Sequence, residues 1–145
     1  MMKTSREGIA LIKRFEGFEA EAYICPGGRW TIGYGHTKDV KPGSVITEER
    51  AEKLLIEDVA EAERYVQAYV HAPLRQNQFD ALVSFVYNVG CGSFKRSSLL
   101  KEVNYDADSY STIRPRFMAF CNAGGKVSTG LTRRRRAEAD LYCRE

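Results

Sequence analysis

Near the start of the chain the apolar positions Ile9, Leu11, Ile12 and Phe15 recur at the spacing of a helix with one buried face. Thr4 and Glu7 stand in front of them as a capping box, and Gly17 is the usual residue just past a helix end. The pattern therefore predicts a helix of about three turns that closes near Glu16. From Phe18 to Val45 the period changes: Gly27, Gly28, Gly33, Gly35 and Gly43 crowd in with Pro26 and Pro42. Cys25-Pro26-Gly27-Gly28 reads as a type II turn, with proline and glycine at its centre. In the following run from Arg29 to His36, Trp30, Ile32 and Tyr34 fall on one face and Thr31, Gly33 and Gly35 on the other, the alternation of a strand. Thr47 then supplies a hydroxyl cap, and Glu48 and Glu49 place acids in the first turn of a long helix. Ala51, Leu54, Leu55, Val59, Ala62, Tyr65 and Val66 carry it to about Tyr69. Beyond Pro73 a helix is predicted over about 75–87, with shorter ones near 97–103 and 109–121. A loop follows over 122–126, then a last helix through Ala137, Leu141 and Tyr142.

That order implies an α+β fold in one domain spanning 1–145. A small antiparallel β lobe (about 18–46) and a larger, mainly helical lobe (about 1–17 and 47–145) would flank a cleft, the first helix leading into the β lobe. A chain of this length buries roughly two-thirds of its unfolded surface, so neither metal nor disulfide is needed for a core. Hydrophobic residues make up 43% and charged residues 28%, which argues against long disordered stretches. The net charge of +3 suits a polyanionic partner without selecting one. No signal-peptide h-region and no long apolar run stands in the chain, so folding in the cytoplasm and no stable membrane insertion are expected. Cysteines at 25, 91, 121 and 143 form no Cys-x-x-Cys pair, and His36 and His71 are the only histidines. Reduced thiols, no metal and no cofactor are the expectation.

Glycoside hydrolysis needs a carboxylic acid that stays protonated, plus a second group that manages water or the cationic sugar. Glu16 stands at a helix C-terminus, where the negative end of the macrodipole disfavours a carboxylate, and at the junction of the two lobes. By position alone it could as well be a solvated acid like Glu19 or Glu21. Cys25 stands at the turn into the strand, and Thr31 shares its strand face with two glycines, leaving a bare surface to which a long polymer could come close. Read singly, Thr31 is an ordinary strand residue and Cys25 a small semi-buried hydrophobe.

Taken together, Phe15-Glu16-Gly17, Cys25 and Thr31-Ile32-Gly33-Tyr34-Gly35-His36 closely resemble the catalytic region of the bacteriophage-type lysozymes, the endolysin muramidases of glycoside hydrolase family 24. The resemblance continues through Gln78-Phe79-Asp80-Ala81-Leu82 and Asn88-Val89-Gly90-Cys91-Gly92-Ser93-Phe94. It runs on through Ser97-Ser98-Leu99-Leu100 and Gly130-Leu131 to Arg134-Arg135 and Glu138, nearly the whole chain. It implies a lysozyme-like fold and hydrolysis of the β-1,4 bond between N-acetylmuramic acid and N-acetylglucosamine in peptidoglycan. It further implies Glu16 as general acid, with residue 25 and Thr31 holding the attacking water on the far side of the sugar, and inversion in one displacement. Position 25 departs from the commoner aspartate. A thiol with a reference pKa of about 8.5 is a poorer base at neutral pH, so Cys25 either has a lowered pKa or mainly orients water.

The run Arg133-Arg134-Arg135-Arg136 is placed by the pattern in or near the first turn of the last helix, where cations oppose the macrodipole. By resemblance Arg134 would pair with Glu16, opposing the helix-end effect on its proton, while other arginines could meet the anionic wall. His36 reads as structural, hydrogen-bonded within the hairpin or to a carboxylate. Trp30, Tyr34, Phe117 and Phe120 read as core, and Asn88 as fixing a helix end. The expected partner is bacterial peptidoglycan, met by a monomer that waits in the host cytoplasm until a holin or its equivalent breaches the membrane. It then acts on the wall from the periplasm or from outside. Two rivals stay open: a thiol amidase or peptidase with Cys25 as nucleophile and His36 as base, and a noncatalytic module binding nucleic acid or another polyanion through the arginine run. The first leaves Glu16 idle and lacks an orienting group; the second lacks a nucleic-acid motif. A lytic transglycosylase, using a similar acid, differs in its anhydro-sugar product.

Overall fold

The computed structural model describes residues 2–145. Helix α1 (Arg6–Glu16) ends at Glu16, where Gly17 turns to a positive φ of 71° and its N–H still bonds the Lys13 carbonyl. Its N-cap is Ser5 and not Thr4: the Ser5 hydroxyl accepts from the Gly8 N–H, while the N–H and hydroxyl of Thr4 both reach Glu63 at 2.7 Å. The predicted cap is displaced by one residue because a carboxylate from another helix takes the Thr4 hydroxyl.

Strands β1 (Glu19–Ile24) and β2 (Trp30–Gly33) pair antiparallel, with Tyr23 opposite Thr31 and an irregularity between Glu19 and Tyr23. Residues 44–46 add to the other edge of β1, through Ala22 N–H to the Ser44 carbonyl and Ile46 N–H to the Ala20 carbonyl. The turn between the strands is not type II. Gly28 N–H bonds the Cys25 carbonyl at 2.8 Å, but the positive φ (83°) falls on Gly28 and not on Gly27. Type II would need the positive φ at Gly27; here the left-handed residue is Gly28, at the end of the turn.

Helix α2 (Glu48–Tyr69) starts at the Thr47 cap and carries its buried stripe along Ala51, Leu55, Val59, Ala62 and Val66. Helix α3 (Gln76–Val89) lies at the centre of the helical part: every residue from Gln78 to Val86 is buried, which a helix manages only when neighbours cover it on all sides. Its buried polar members are each paired. Asp80 accepts from the Ser5 N–H at 3.0 Å and from Gln76 at 2.8 Å, and Gln78 donates to Asp108 at 2.9 Å. Helices α4 (Cys91–Arg96), α5 (Ser98–Tyr105), α6 (Tyr110–Met118) and α7 (Thr129–Tyr142) wrap around it.

Three local features differ from the sequence reading. Cys91–Arg96 is helical despite Gly92, because Phe94 is fully buried against Phe85, ring centroids 6.2 Å apart. Helix α6 stops at Met118 rather than near Cys121, where the chain tightens into Phe120 N–H to Phe117 carbonyl. The predicted loop over 122–126 is a two-residue hairpin, β3 (Asn122–Ala123) with β4 (Lys126–Val127), turning on Gly124 and Gly125 at positive φ. Tyr34 and Phe117 are core residues, Phe120 packs against the core, and Trp30 is half-buried.

Phe85 holds this assembly in register. Its ring meets Phe117 and Phe120 edge-on, with centroids 5.6 and 5.0 Å away. Phe85→Ala is expected to cost about 3–5 kcal/mol in denaturant unfolding, the range for a fully buried aromatic.

Candidate active site

Glu16 lines a groove of ≈ 770 Å³ whose walls come from α2 (Asp58, Glu61, Ala62, Tyr65), the end of α3 (Val86, Tyr87, Asn88) and the β side (Arg29, Gly35, Thr37, Lys38). The helix that ends at Gly17 delivers the Glu16 carboxyl to the junction of helices and sheet. Two contacts then hold it. Arg134 Nη1 donates to Glu16 Oε2 at 2.7 Å, with Glu16's side chain 19% exposed and Arg134's only 4%. On the other side a Cβ on Gly35 would lie 2.6 Å from Glu16 Oε1, closer than any side chain tolerates, and Gly35 has φ +81°. The carboxyl thus rests against a glycine backbone.

This corrects the picture of a bare strand face awaiting a polymer. Gly33 and Gly35 do lack side chains on that face, but the protein fills the space: Gly33 meets the Ala51 Cβ of α2, and Gly35 meets Glu16. The loop carrying Gly35 is pinned on both sides. Tyr87 donates to the Tyr34 carbonyl at 2.9 Å, the Tyr34 hydroxyl donates to Glu48 at 3.1 Å, and His36 Nδ1 lies 2.7 Å from Asp58 Oδ2. His36 is therefore tied to α2, with its side chain 13% exposed. Burial, with Glu16 and Asp58 adding negative charge, drives the Tyr87 hydroxyl far above the ordinary phenol range, so it remains a donor.

Arg134 belongs to a buried cluster. Its Nε donates to Glu138 Oε2 at 3.2 Å, its Nη2 to the Ser84 carbonyl at 3.2 Å, and Ser84 Oγ donates to Glu138 at 2.5 Å. Arg135, fully buried, donates to Glu138, to Asn88 and to the Phe120 carbonyl, and its guanidinium lies 5.0 Å from the Phe85 ring centre. Burial pushes the Glu138 carboxyl upward, while Arg135, Arg134 and Ser84 pull it back. Two of the four arginines are thus committed inside; Arg133 and Arg136 are exposed. The pattern predicts the run in or near the first turn; α7 begins at Thr129 under a Ser128 cap, so it lies next to that turn, in the second, where the dipole's cost has faded. Asn88 accepts from Arg135 and lines the groove, while the end of α3 is made by Gly90.

Cys25 and Thr31 form a pair of their own. The Thr31 hydroxyl, first, and the N–H groups of Arg29 and Gly27 hold the Cys25 thiol below the ordinary thiol range. The Thr31 hydroxyl also reaches the Arg29 carbonyl at 3.1 Å. Tyr23 stands opposite Thr31 on the sheet; burial raises its hydroxyl, and Glu16, Glu19 and Cys25 raise it further. The Gly35 contact with Glu16 and the roles of Tyr23, Ser84 and Tyr87 escaped the sequence reading. Of these Gly35 alone had a signal, as a glycine two residues beyond a strand and next to His36. A second groove of ≈ 460 Å³ between α1 and α7, lined by Glu7, Leu11 and Arg144 among others, holds none of these side chains.

The phage lysozyme family model matches residues 13–138, the stretch holding the acid, the thiol pair and the arginine cluster. The chain belongs to the phage lysozyme family. It is 43% identical to an endolysin of Acyrthosiphon pisum secondary endosymbiont phage 1, covering 97% of this chain and 98% of that one. It is 38% identical to the endolysin of Salmonella phage P22, covering 96% and 97% respectively. The muramidase domain of SpmX from Asticaccaulis excentricus superposes with a TM-score of 0.92 at 39% identity, covering all of both chains. The α+β lysozyme-like fold is that of the family. Among the described residues, no helix is long and apolar enough to cross a membrane.

Family membership makes the Gly35–Glu16 contact a test of geometry. A methyl group at Gly35 must displace the carboxyl by about an ångström, which costs on the order of 10²-fold in rate. Gly35→Ala is therefore expected to lower kcat on cell walls by about that factor with a smaller change in KM, while circular dichroism shows the fold kept.

Proposed function

We propose that this protein is an endolysin that hydrolyses the β-1,4 bond between N-acetylmuramic acid and N-acetylglucosamine of peptidoglycan, with Glu16 as the proton donor. The protein is a glycosidase acting on peptidoglycan, as its family and its muramidase and endolysin relatives support. The observation that carries the assignment of Glu16 is its placement: a carboxyl in the wall of the main groove, fixed between Arg134 and the Gly35 backbone.

The chemistry follows from that placement. In its protonated form Glu16 gives its proton to the departing glycosidic oxygen as the sugar gains oxocarbenium character. Arg134 aims the carboxyl and stabilises the carboxylate once the proton has gone. Cys25 and Thr31 hold the attacking water on the opposite face, and the lowered thiol carries more thiolate at neutral pH than a free cysteine would. One displacement then inverts the anomeric carbon. A thiol peptidase remains the weaker reading, because His36 Nδ1 is engaged by Asp58 rather than by Cys25. The protein would work as a monomer, released to the wall when a holin or its equivalent opens the membrane.

Purified peptidoglycan distinguishes the chemistries. New reducing ends of inverted configuration are expected by NMR; free amines would mean peptide cleavage, and anhydro-sugar ends a transglycosylase. Glu16→Gln is expected to lower lysis by about 10²–10⁴-fold with the fold intact. Cys25→Asp is expected to preserve activity and Cys25→Ser to impair it. A fully active Cys25→Ser would show that no thiolate is required.

A further inference from the structure

Glu138 has no task in the reaction as described. It is 0% exposed and shares two guanidiniums, those of Arg134 and Arg135. A carboxylate withdrawn from water so completely is costly to keep. Arg134 could be neutralised by Glu16 alone, whose oxygen lies 2.7 Å away. A general acid, however, must carry a proton when substrate arrives, and an undivided guanidinium at that distance favours the bare carboxylate.

We propose that Glu138 is a positioning residue for the reaction: it takes up a share of the charge of Arg134, so that the arginine orients Glu16 without locking its carboxyl into a permanent ion pair. The inference rests on the reading of Glu16 as general acid. The geometry supports the division. Arg134 turns Nη1 to Glu16, Nε to Glu138 and Nη2 to the Ser84 carbonyl, so two carboxylates compete for one planar cation. Arg135 supplies the second positive charge, which leaves two cations and two carboxylates in the cluster. Protonating Glu138 would leave Glu16 as the one carboxylate paired with Arg134. Ser84 Oγ, on α3, donates to Glu138 and, with the two guanidiniums, opposes the upward push of burial on its carboxyl. The other charged or titratable groups around the acid come from the neighbouring elements: Tyr23 on β1, Arg29 and Lys38 on the β side, Asp58 and Glu61 on α2, and Tyr87 on α3. None of these touches Arg134 through a hydrogen bond, so the balance on the guanidinium is set by Glu138 and Ser84.

The test reads the Glu16 proton directly. In protein carrying ¹³C at the glutamate carboxyls, the Glu16 signal is assigned by its loss in Glu16→Gln and titrated by NMR. In Glu138→Gln, which keeps the shape and an acceptor oxygen, the Glu16 midpoint is expected to fall by about one pH unit. At neutral pH kcat should then drop about tenfold while KM stays within about twofold. Ser84→Ala should move the midpoint the same way by a smaller amount. An unmoved or raised midpoint in folded Glu138→Gln overturns the inference; if that variant does not fold, Ser84→Ala decides by the same criterion. The two readings fail separately. An active Glu16→Gln removes the general acid and this inference with it, whereas an inactive Glu16→Gln with an unmoved midpoint in Glu138→Gln removes only the role of Glu138.

Discussion

The contact between the Glu16 carboxylate and the Arg134 guanidinium is the constraint around which the rest of the molecule is arranged. It joins the end of α1 to the second turn of α7, residues 118 apart in sequence, across the flank of the central helix α3. For those groups to meet, α1 must end where Gly17 ends it and α7 must pack on α3 through Ser84. The loop after β2 must also come close enough for Gly35 to press its backbone on the carboxyl. Each requirement is local, and each fails if the neighbouring element moves by a fraction of a turn.

Such a site stores unfavourable terms that the core must offset. Arg134, Arg135 and Glu138 are removed from water, and breaking a cluster of this kind by deleting one partner typically costs about 3–5 kcal/mol. Gly35 sits in the left-handed region, in a loop strapped by Tyr87, Glu48 and Asp58. The aromatic packing around Phe85, against which the Arg135 guanidinium lies, provides the compensation. A costly polar cluster braced by a rigid aromatic core suits the proposed acid, because the negative charge the Glu16 carboxyl gains on giving up its proton finds Arg134 already in place.

The pair proposed to hold the water is built by different means. The Cys25–Thr31 pair owes nothing to buried ion pairs; Cys25 stands at the hairpin turn and Thr31 on the next strand, and Thr31 with the Arg29 and Gly27 backbone lowers the thiol. Backbone dipoles can favour a thiolate without bringing in a side-chain cation that would also act on the acid. Separate electrostatic control of the two groups follows from placing one on a helix end and the other on a sheet turn.

Much of the architecture was legible in the residues themselves. The stop at Gly17, the cap at Thr47, the stripe on α2 and the change to a strand period after Phe18 are all short-range signals, and the α+β order follows from them. The ordered blocks from Phe15 to Glu138 carried the family. What the residues could not disclose was decided by groups distant in sequence. Glu63 took the Thr4 hydroxyl and moved the cap to Ser5. Ala51 and Glu16 filled the glycine face that had looked open. Arg135 claimed Asn88, and Phe94 drew a glycine-bearing segment into a helix. Local pattern records the conformational preferences of a few neighbouring residues; the partners of a buried polar atom, and the closeness of two backbones, are properties of packing and come into being only when the chain has closed on itself.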